Sequence, residues 1–318
     1  MSQTITKPEA LLAALGLDAQ LLPAARAANE TFALRVPAAF LARIKPGDPD
    51  DPLLKQILPV AAELEDQPGF ISDPLEERAA TRAPGLLQKY AGRALLIATA
   101  ACAVHCRYCF RREFPYAEQA AQDGARWSEA LATIASDESI EEVILSGGDP
   151  LSLSDARLGQ ITDALAAMPH VRRIRVHTRT PVVMPARVDD GLCEWLATIA
   201  RPVVFVLHVN HPDEIDAEVR VACARLRATG VTLLNQSVLL AGVNDDVDTL
   251  RRLSVDLMAA GVLPYYLHLP DRVRGTAHFD VAEARAKALV AGLASQLSGY
   301  LVPRLVREIA GMPSKTPV

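Results

Sequence analysis

The sequence predicts an α/β protein, a partial (β/α)6 barrel (residues 86–318) behind a mostly helical N-terminal region (residues 1–85). Two observations predict it. From Arg93 onward, apolar, β-rich runs recur at 94–99, 143–145, 174–177, 203–209, 231–239 and 263–269. After a longer first interval their starts lie about thirty residues apart, the length of one βα unit. Amphipathic helical stretches at 127–135, 155–167, 189–200, 217–228 and 247–260 fill the intervals, and 281–297 follows the last run. Near-continuous apolar strands mean burial on both faces, as in a parallel sheet covered by helices. Six units fall short of the closed eightfold barrel, and in such folds reactive side chains belong at the C-terminal ends of strands.

The first 85 residues read differently. A helical pattern at 10–15 closes on Gly16, 32–36 has strand character, and 37–44 is helical. The run Lys45-Pro46-Gly47-Asp48-Pro49-Asp50-Asp51-Pro52 is turn-dense, and neither a helix nor a central strand survives it. Residues 53–64 are helical again, with a break at Pro59. No chemistry-bearing motif falls in this region.

Composition bounds the class. Half of the 318 residues are apolar, ample for a sizeable core. A net charge of -5 gives no basis for nucleic acid or an anionic membrane as partner. Residues 1–9 lack the basic and apolar regions of a signal peptide, and the longest apolar run, 94–104, is too short to span a bilayer. Three of five cysteines are grouped, which reads as metal ligation in a reducing cytosol and not as a disulfide framework. A cytoplasmic enzyme is the expectation.

The grouped cysteines, Cys102, Cys106 and Cys109, form a C-x3-C-x2-C loop directly after the first apolar run. Soft thiolates select iron–sulfur, zinc or copper(I). A zinc site would need a fourth ligand, which His105 could supply; a cluster with one open iron would need none. Cys193 and Cys223 stand apart in helical patterns. The second run ends in Ser146-Gly147-Gly148-Asp149-Pro150, whose glycines permit close backbone approach to a ligand, or simply a turn. His208 and His211 follow the fourth run; no cysteine or carboxylate stands at matching spacing, so they suit the polar lining of a cavity better than a metal. Asn235-Gln236-Ser237 interrupts an apolar run with polar groups, the mark of a buried site. Asp271 follows the sixth run. Of six lysines only Lys287 and Lys315 lie beyond Arg93. Lys287 is on an outer helix face, and Lys315 stands in a polar tail that has neither helix nor strand character.

The cysteine spacing resembles the radical S-adenosylmethionine (SAM) superfamily. Together with Lys89-Tyr90-Ala91-Gly92-Arg93, Phe110-Arg111-Arg112-Glu113-Phe114, the Ser-Gly-Gly-Asp-Pro run, Arg179-Thr180-Pro181, Asn235-Gln236-Ser237-Val238-Leu239-Leu240 and Pro313-Ser314-Lys315-Thr316-Pro317, it resembles the lysine 2,3-aminomutases over most of the chain. The likeness is greatest to the branch that supplies (R)-β-lysine for elongation factor P. That resemblance implies a radical SAM barrel with a [4Fe-4S] cluster on Cys102, Cys106 and Cys109. It implies SAM held by Ser146, Gly147, Gly148 and Asp149, with Tyr108 near its adenine and Gln236 in the cofactor-binding set. It implies pyridoxal 5′-phosphate (PLP) on Lys315, contacted by Tyr90 and, through its phosphate, by Arg93. Arg111 would clamp the substrate carboxylate, and Asp271 would take the ε-ammonium of free L-lysine. The family's second acid, an aspartate in catabolic relatives, is Glu308 here. Implied partners are an electron donor and, functionally, elongation factor P and its β-lysine ligase. No cysteine-bearing extension follows Lys315, so no structural zinc is expected. A catabolic aminomutase and a non-catalytic iron–sulfur or zinc scaffold are the alternatives.

Overall fold

The structure, a computed structural model, describes residues 4–116 and 124–318, with side chains at 124–126 left aside. Ten strands form one sheet in sequence order: β1 (Thr81–Ala83), β2 (Leu86–Tyr90), β3 (Arg93–Thr99), β4 (Glu142–Gly147), β5 (Arg173–Thr178), β6 (Val203–Leu207), β7 (Thr232–Val238), β8 (Leu263–His268), β9 (Arg304–Arg307) and β10 (Thr316–Pro317). Strands β3 to β9 are parallel. β2 and β1 add antiparallel on one side, and β10 pairs antiparallel with β9 on the other. Among the described residues no backbone ladder joins the two ends of this order, so the barrel is open.

The six-unit core stands, and a seventh parallel strand, β9, extends it. At four residues, with an arginine at each end, β9 lacks the apolar length that marks the others. The strand character of 32–36 comes down to one bridge, Val36 with Ile5. Residues 53–64 hold only the single turn Pro52–Lys55, capped by Asp51, and a 3-10 turn at Ala61–Leu64, because Pro59 denies an intervening helix its hydrogen bond. The tail around Lys315 is held by β10, with Thr316 opposite Arg307.

Helices Gly124–Ser136, Asp155–Ala166, Asp190–Thr198, Ala217–Ala228 and Val247–Ala259 return the chain between parallel strands. Most start at a capping side chain that satisfies an otherwise unpaired amide: Asp189 to Leu192 N (2.9 Å), Asp216 to Val219 N (2.9 Å), Asp246 to Thr249 N (2.8 Å). Among the described residues no helix is long and apolar enough to cross a membrane.

Strand parity sorts core from lumen. Ala94, Leu96, Ala98, Val143, Leu145, Ile174, Val176, Val203, Phe205 and Leu207 share one apolar cluster with helix residues such as Leu158, Leu192 and Leu226. The opposite parity brings Ser146, His177, His208, Gln236, Tyr266 and His268 to the other face. Polar side chains therefore gather inside the barrel, toward its C-terminal mouth.

The N-terminal region has its own core of Leu11, Leu34, Phe40, Leu53 and Ile57, which packs on Val104 of the cysteine loop and on Val183. Arg107 fastens the two together. It is fully buried, grips Glu63 through Nε (2.9 Å) and Nη2 (2.5 Å), and donates to the Phe32 carbonyl at 2.6 Å. Arg112 reaches the same carboxylate at 2.7 Å. Glu63→Ala would leave two buried guanidinium groups without their counter-charge, so a loss of about 3–5 kcal/mol is expected by denaturant titration.

Candidate active site

The cysteine loop leaves the C-terminal end of β3 and packs flat against the end of β4. Gly148 N donates to the Thr99 carbonyl and Asp149 N to the Ala101 carbonyl, both at 2.7 Å. A side chain cannot fit there: a Cβ on Gly147 would stand 2.6 Å from the Thr99 oxygen, and one on Gly148 would strike the Ala101 carbonyl. Gly147 also takes a left-handed φ of 113°. The three thiols lie within electrostatic reach of one another. Burial first, then neighbouring sulfur, pushes Cys102 up and Cys109 up to about 11. Among the described residues no three His, Cys, Asp or Glu side chains converge tightly enough to hold an ion as they stand. As a donor set, three soft thiols on one loop suit an iron–sulfur cluster. His105 turns away from them: its Nδ1 donates to the Ala33 carbonyl at 2.7 Å and its ring stacks on Phe32.

Asp149 does not present a free carboxylate. Its oxygens accept from Leu151 N (3.0 Å), Thr178 Oγ1 (2.7 Å), Arg179 N (2.8 Å) and Thr180 N (3.0 Å), which fills its lone-pair sites. This strand end can therefore offer a ligand its glycine backbone and not that side chain. Arg179, whose amide is one of the Asp149 donors, also donates through its guanidinium to Cys106 Sγ (2.8 Å), Gln56 Oε1 (2.7 Å) and Glu214 Oε2 (2.9 Å). Tyr108 is buried against Phe279. Its hydroxyl donates to His208 Nε2 (2.8 Å), while His208 Nδ1 donates to the Gln236 carbonyl (2.8 Å). Burial, then Arg179, pushes His208 down to about 4, so the ring is neutral. With both nitrogens engaged, His208 is lining, as its sequence context suggests. Among the described residues the Gln236 side chain has no hydrogen-bond partner, and its place on β7 faces the lumen.

A chain of alternating charge crosses the mouth. Arg111 grips Glu77 through Nε (2.7 Å) and Nη2 (2.8 Å); Glu77 meets Lys89 Nζ at 3.0 Å; Lys89 meets Glu308 at 2.8 Å; Glu308 meets Lys315 Nζ at 2.7 Å. Burial alone would raise both glutamates, yet Arg111 and Lys89 lower Glu77, and Lys315 and Lys89 hold Glu308 far below the usual carboxylate range. Asp271 lies beside this chain. Burial, then repulsion from Glu308, pushes it up to about 7 against the pull of Lys315 and Lys89. The structure thus brings together Arg111, Asp271, Glu308 and Lys315, which are far apart in sequence. It adds Glu77, which carries no signal in the sequence beyond its charge, and Lys89, which the sequence presents only as part of the 89–93 run.

Around Lys315 several buried polar atoms have no hydrogen-bond partner: Tyr90 Oη, His177 Nε2 and His268 Nε2. Arg93 stacks its guanidinium on the Tyr90 ring at 4.5 Å, and Lys315 Nζ stands 5.9 Å from the centre of the Tyr266 ring. Buried orphans of this kind call for a ligand. An amine, a phenol, two neutral imidazoles and a guanidinium fit a group that carries an aldehyde, a ring and a phosphate. His177 stands at the end of the third run in the sequence, whereas His268 is not singled out there; strand parity is the signal that turns both toward the lumen.

The chain is similar to known proteins along its whole length. A family profile described as a 4Fe-4S single cluster domain matches residues 91–178, from β3 through the cysteine loop to the end of β5. L-lysine 2,3-aminomutase of Escherichia coli (strain K12) is 49% identical over 320 residues, 100% of this chain and 93% of that protein. The protein of the same name from Haemophilus influenzae is 47% identical over 99% of this chain and 93% of its own length. That from Fusobacterium nucleatum is 37% identical over 91% and 68%. A radical SAM methyltransferase structure from Sphaerobacter thermophilus shares 18% identity over 70% of this chain and 68% of its own, with a TM-score of 0.47, a likeness that adds nothing to the assignment. Near-half identity along its whole length means that this chain belongs to the L-lysine 2,3-aminomutase family.

Proposed function

We propose that this protein is a radical SAM, PLP-dependent L-lysine 2,3-aminomutase that makes (R)-β-lysine in the cytoplasm for the modification of elongation factor P. The observation that carries the reading is the charge chain: it sets a carboxylate-binding fork, two acids and the tail lysine around one barrel mouth, next to the thiol loop.

When bound, the reduced cluster and SAM supply a radical able to take hydrogen from an unactivated carbon, while PLP carries the amino nitrogen through its move. The chain's own residues do the rest. Cys102, Cys106 and Cys109 hold the cluster, and Arg179 donates a hydrogen bond to the Cys106 sulfur. The backbone at Ser146, Gly147 and Gly148 lines the place of SAM. Lys315 supplies the amine that joins PLP, with Tyr90 and Arg93 beside it. Arg111 takes the substrate carboxylate, for which a planar fork is suited. Asp271 and Glu308 take the ε-ammonium. Holding both charged ends fixes the lysine β-carbon against the radical source, which is how orientation lowers the barrier. The N-terminal core over the cysteine loop keeps water off the reacting centre. An electron donor must reduce the cluster.

Four outcomes test this. Anaerobically reconstituted protein, given lysine, SAM and a reductant, should form β-lysine by chromatography; conversion of glutamate instead would overturn the acid-pair assignment. A strain lacking the protein should lose β-lysylated elongation factor P by mass spectrometry. Lys315→Ala should abolish the PLP absorption band along with turnover. Asp271 holds a cation only when ionised, and it is neutral below its pKa of about 7. The value of kcat/KM for lysine, which reports ionisations of the free enzyme, should therefore rise between about pH 6 and 8. Asp271→Asn should flatten that limb and raise KM.

A further inference from the structure

Two members of the charge chain, Glu77 and Lys89, have no part in the reading above. Glu77 is only 2% exposed and sits in a turn-rich stretch before β1. Its grip on Nε and Nη2 occupies one edge of the Arg111 guanidinium. The remaining nitrogen, Nη1, has a long 3.3 Å contact to Ser146 Oγ, so a carboxylate can be received there without displacing Glu77. Glu77 therefore orients the fork and does not block it.

The position of this link in the sheet gives it a second consequence. Arg111 follows β3, near one end of the strand order; Asp271 and Glu308 follow β8 and β9, near the other. Among the described residues no backbone ladder crosses between those ends. The path from the carboxylate fork to the acid pair runs Arg111–Glu77–Lys89–Glu308, with ion-pair distances of 2.7, 3.0 and 2.8 Å. Whatever holds that path taut also holds the span between the two charged ends of the substrate.

Resting on the assignment of Arg111 and of the Asp271–Glu308 pair to those two ends, we infer that Glu77 and Lys89 are specificity-determining positioning residues. They fix the distance between the carboxylate clamp and the ammonium clamp, and so select an α-amino acid with a terminal amine by its chain length. Ornithine, one methylene shorter than lysine, is the natural probe. It carries the same charges and differs only in span.

The test uses the full chain loaded anaerobically with cluster and PLP. KM and kcat are measured for lysine and ornithine, and binding of each is followed separately by the change in PLP absorbance with SAM left out, so that no turnover occurs. Glu77→Gln is expected to raise the lysine KM by about 10- to 100-fold, the cost of a lost hydrogen bond to a charged group, with a smaller change in kcat. The preference for lysine over ornithine should shrink in both binding and kcat/KM. Lys89→Met, which cuts the other link at a partly exposed side chain, should shrink the same preference and serves if Glu77→Gln does not fold. A structural role alone would weaken both amino acids equally; an unchanged lysine-to-ornithine ratio in the folded variants would overturn the inference. If the wild-type protein binds lysine but forms no β-lysine, the proposed function falls while the binding ratio still decides the matter of span. If it binds neither amino acid, both fall.

Discussion

Among the described residues no backbone ladder closes the sheet of this protein; a side-chain charge pair spans its two ends. Strand order leaves β1 and β2 at one end and β9 and β10 at the other, and Lys89 on β2 meets Glu308, just past β9, across the opening. That contact carries Glu77 and Arg111 on one side and Lys315 on the other. Burying so many charges is tolerable only because each has an opposite neighbour; a single unpaired ion at this depth would cost several kcal/mol (~3–5). The barrel mouth, the tail lysine and the acid pair thus depend on one alternating series. It is also what brings the tail lysine to the mouth: β10 gives the tail two residues of pairing, and the Glu308 contact fixes the amine.

A second joint, of another kind, holds the cysteine loop. The Asp149 side chain accepts from four donors on β5 and its own turn, while its amide donates to Ala101. Three strand ends, β3, β4 and β5, meet at this one residue. Arg179, whose amide is among those donors, runs on to Cys106, Gln56 and Glu214, and so ties the weld to the N-terminal region. From the outer side, Arg107 and Glu63 do the same. A loop that carries three thiols is held from both sides by buried, hydrogen-bonded charged groups.

Much of this was legible in the sequence, and the limits have physical reasons. The six core strands announce themselves because both faces are buried and their runs are apolar. The cysteine loop announces itself because soft ligands at short spacing have few other uses. Asp271, Glu308 and Lys315 came from resemblance, not from any pattern in their neighbourhood. Strand β9 was invisible because two apolar residues between arginines carry no period. The roles of Glu77 and of Lys89, the latter noted only as part of a motif, were invisible for a deeper reason: their meaning is a contact with partners 34 and 219 residues away. A charge in a turn-rich stretch ordinarily reads as solvated surface, and only the fold shows that it is buried. Asp149 illustrates the converse. Its motif suggests a ligand, but its own turn and the end of β5 engage the carboxylate with three amides and a hydroxyl.

The two joints differ in a way that matches what each must do. A carboxylate saturated by backbone and hydroxyl donors cannot release one without stranding it, so the weld at Asp149 has one arrangement and is stiff. The charge chain is built from flexible side chains, and Glu308 has two cationic partners, so an incoming ammonium can replace Lys315 there while Lys89 keeps the path to Glu77 and Arg111 intact. In the proposed reading the substrate ammonium brings the charge that Lys315 already presents to Glu308, and its carboxylate takes the Nη1 side of Arg111 beside Glu77. The cost of releasing Lys315 is therefore returned in kind as lysine binds. A neutral or singly charged molecule of similar size offers no such exchange, so the barrel keeps its rigid joint beside the thiols and its exchangeable joint where the amino acid must come and go.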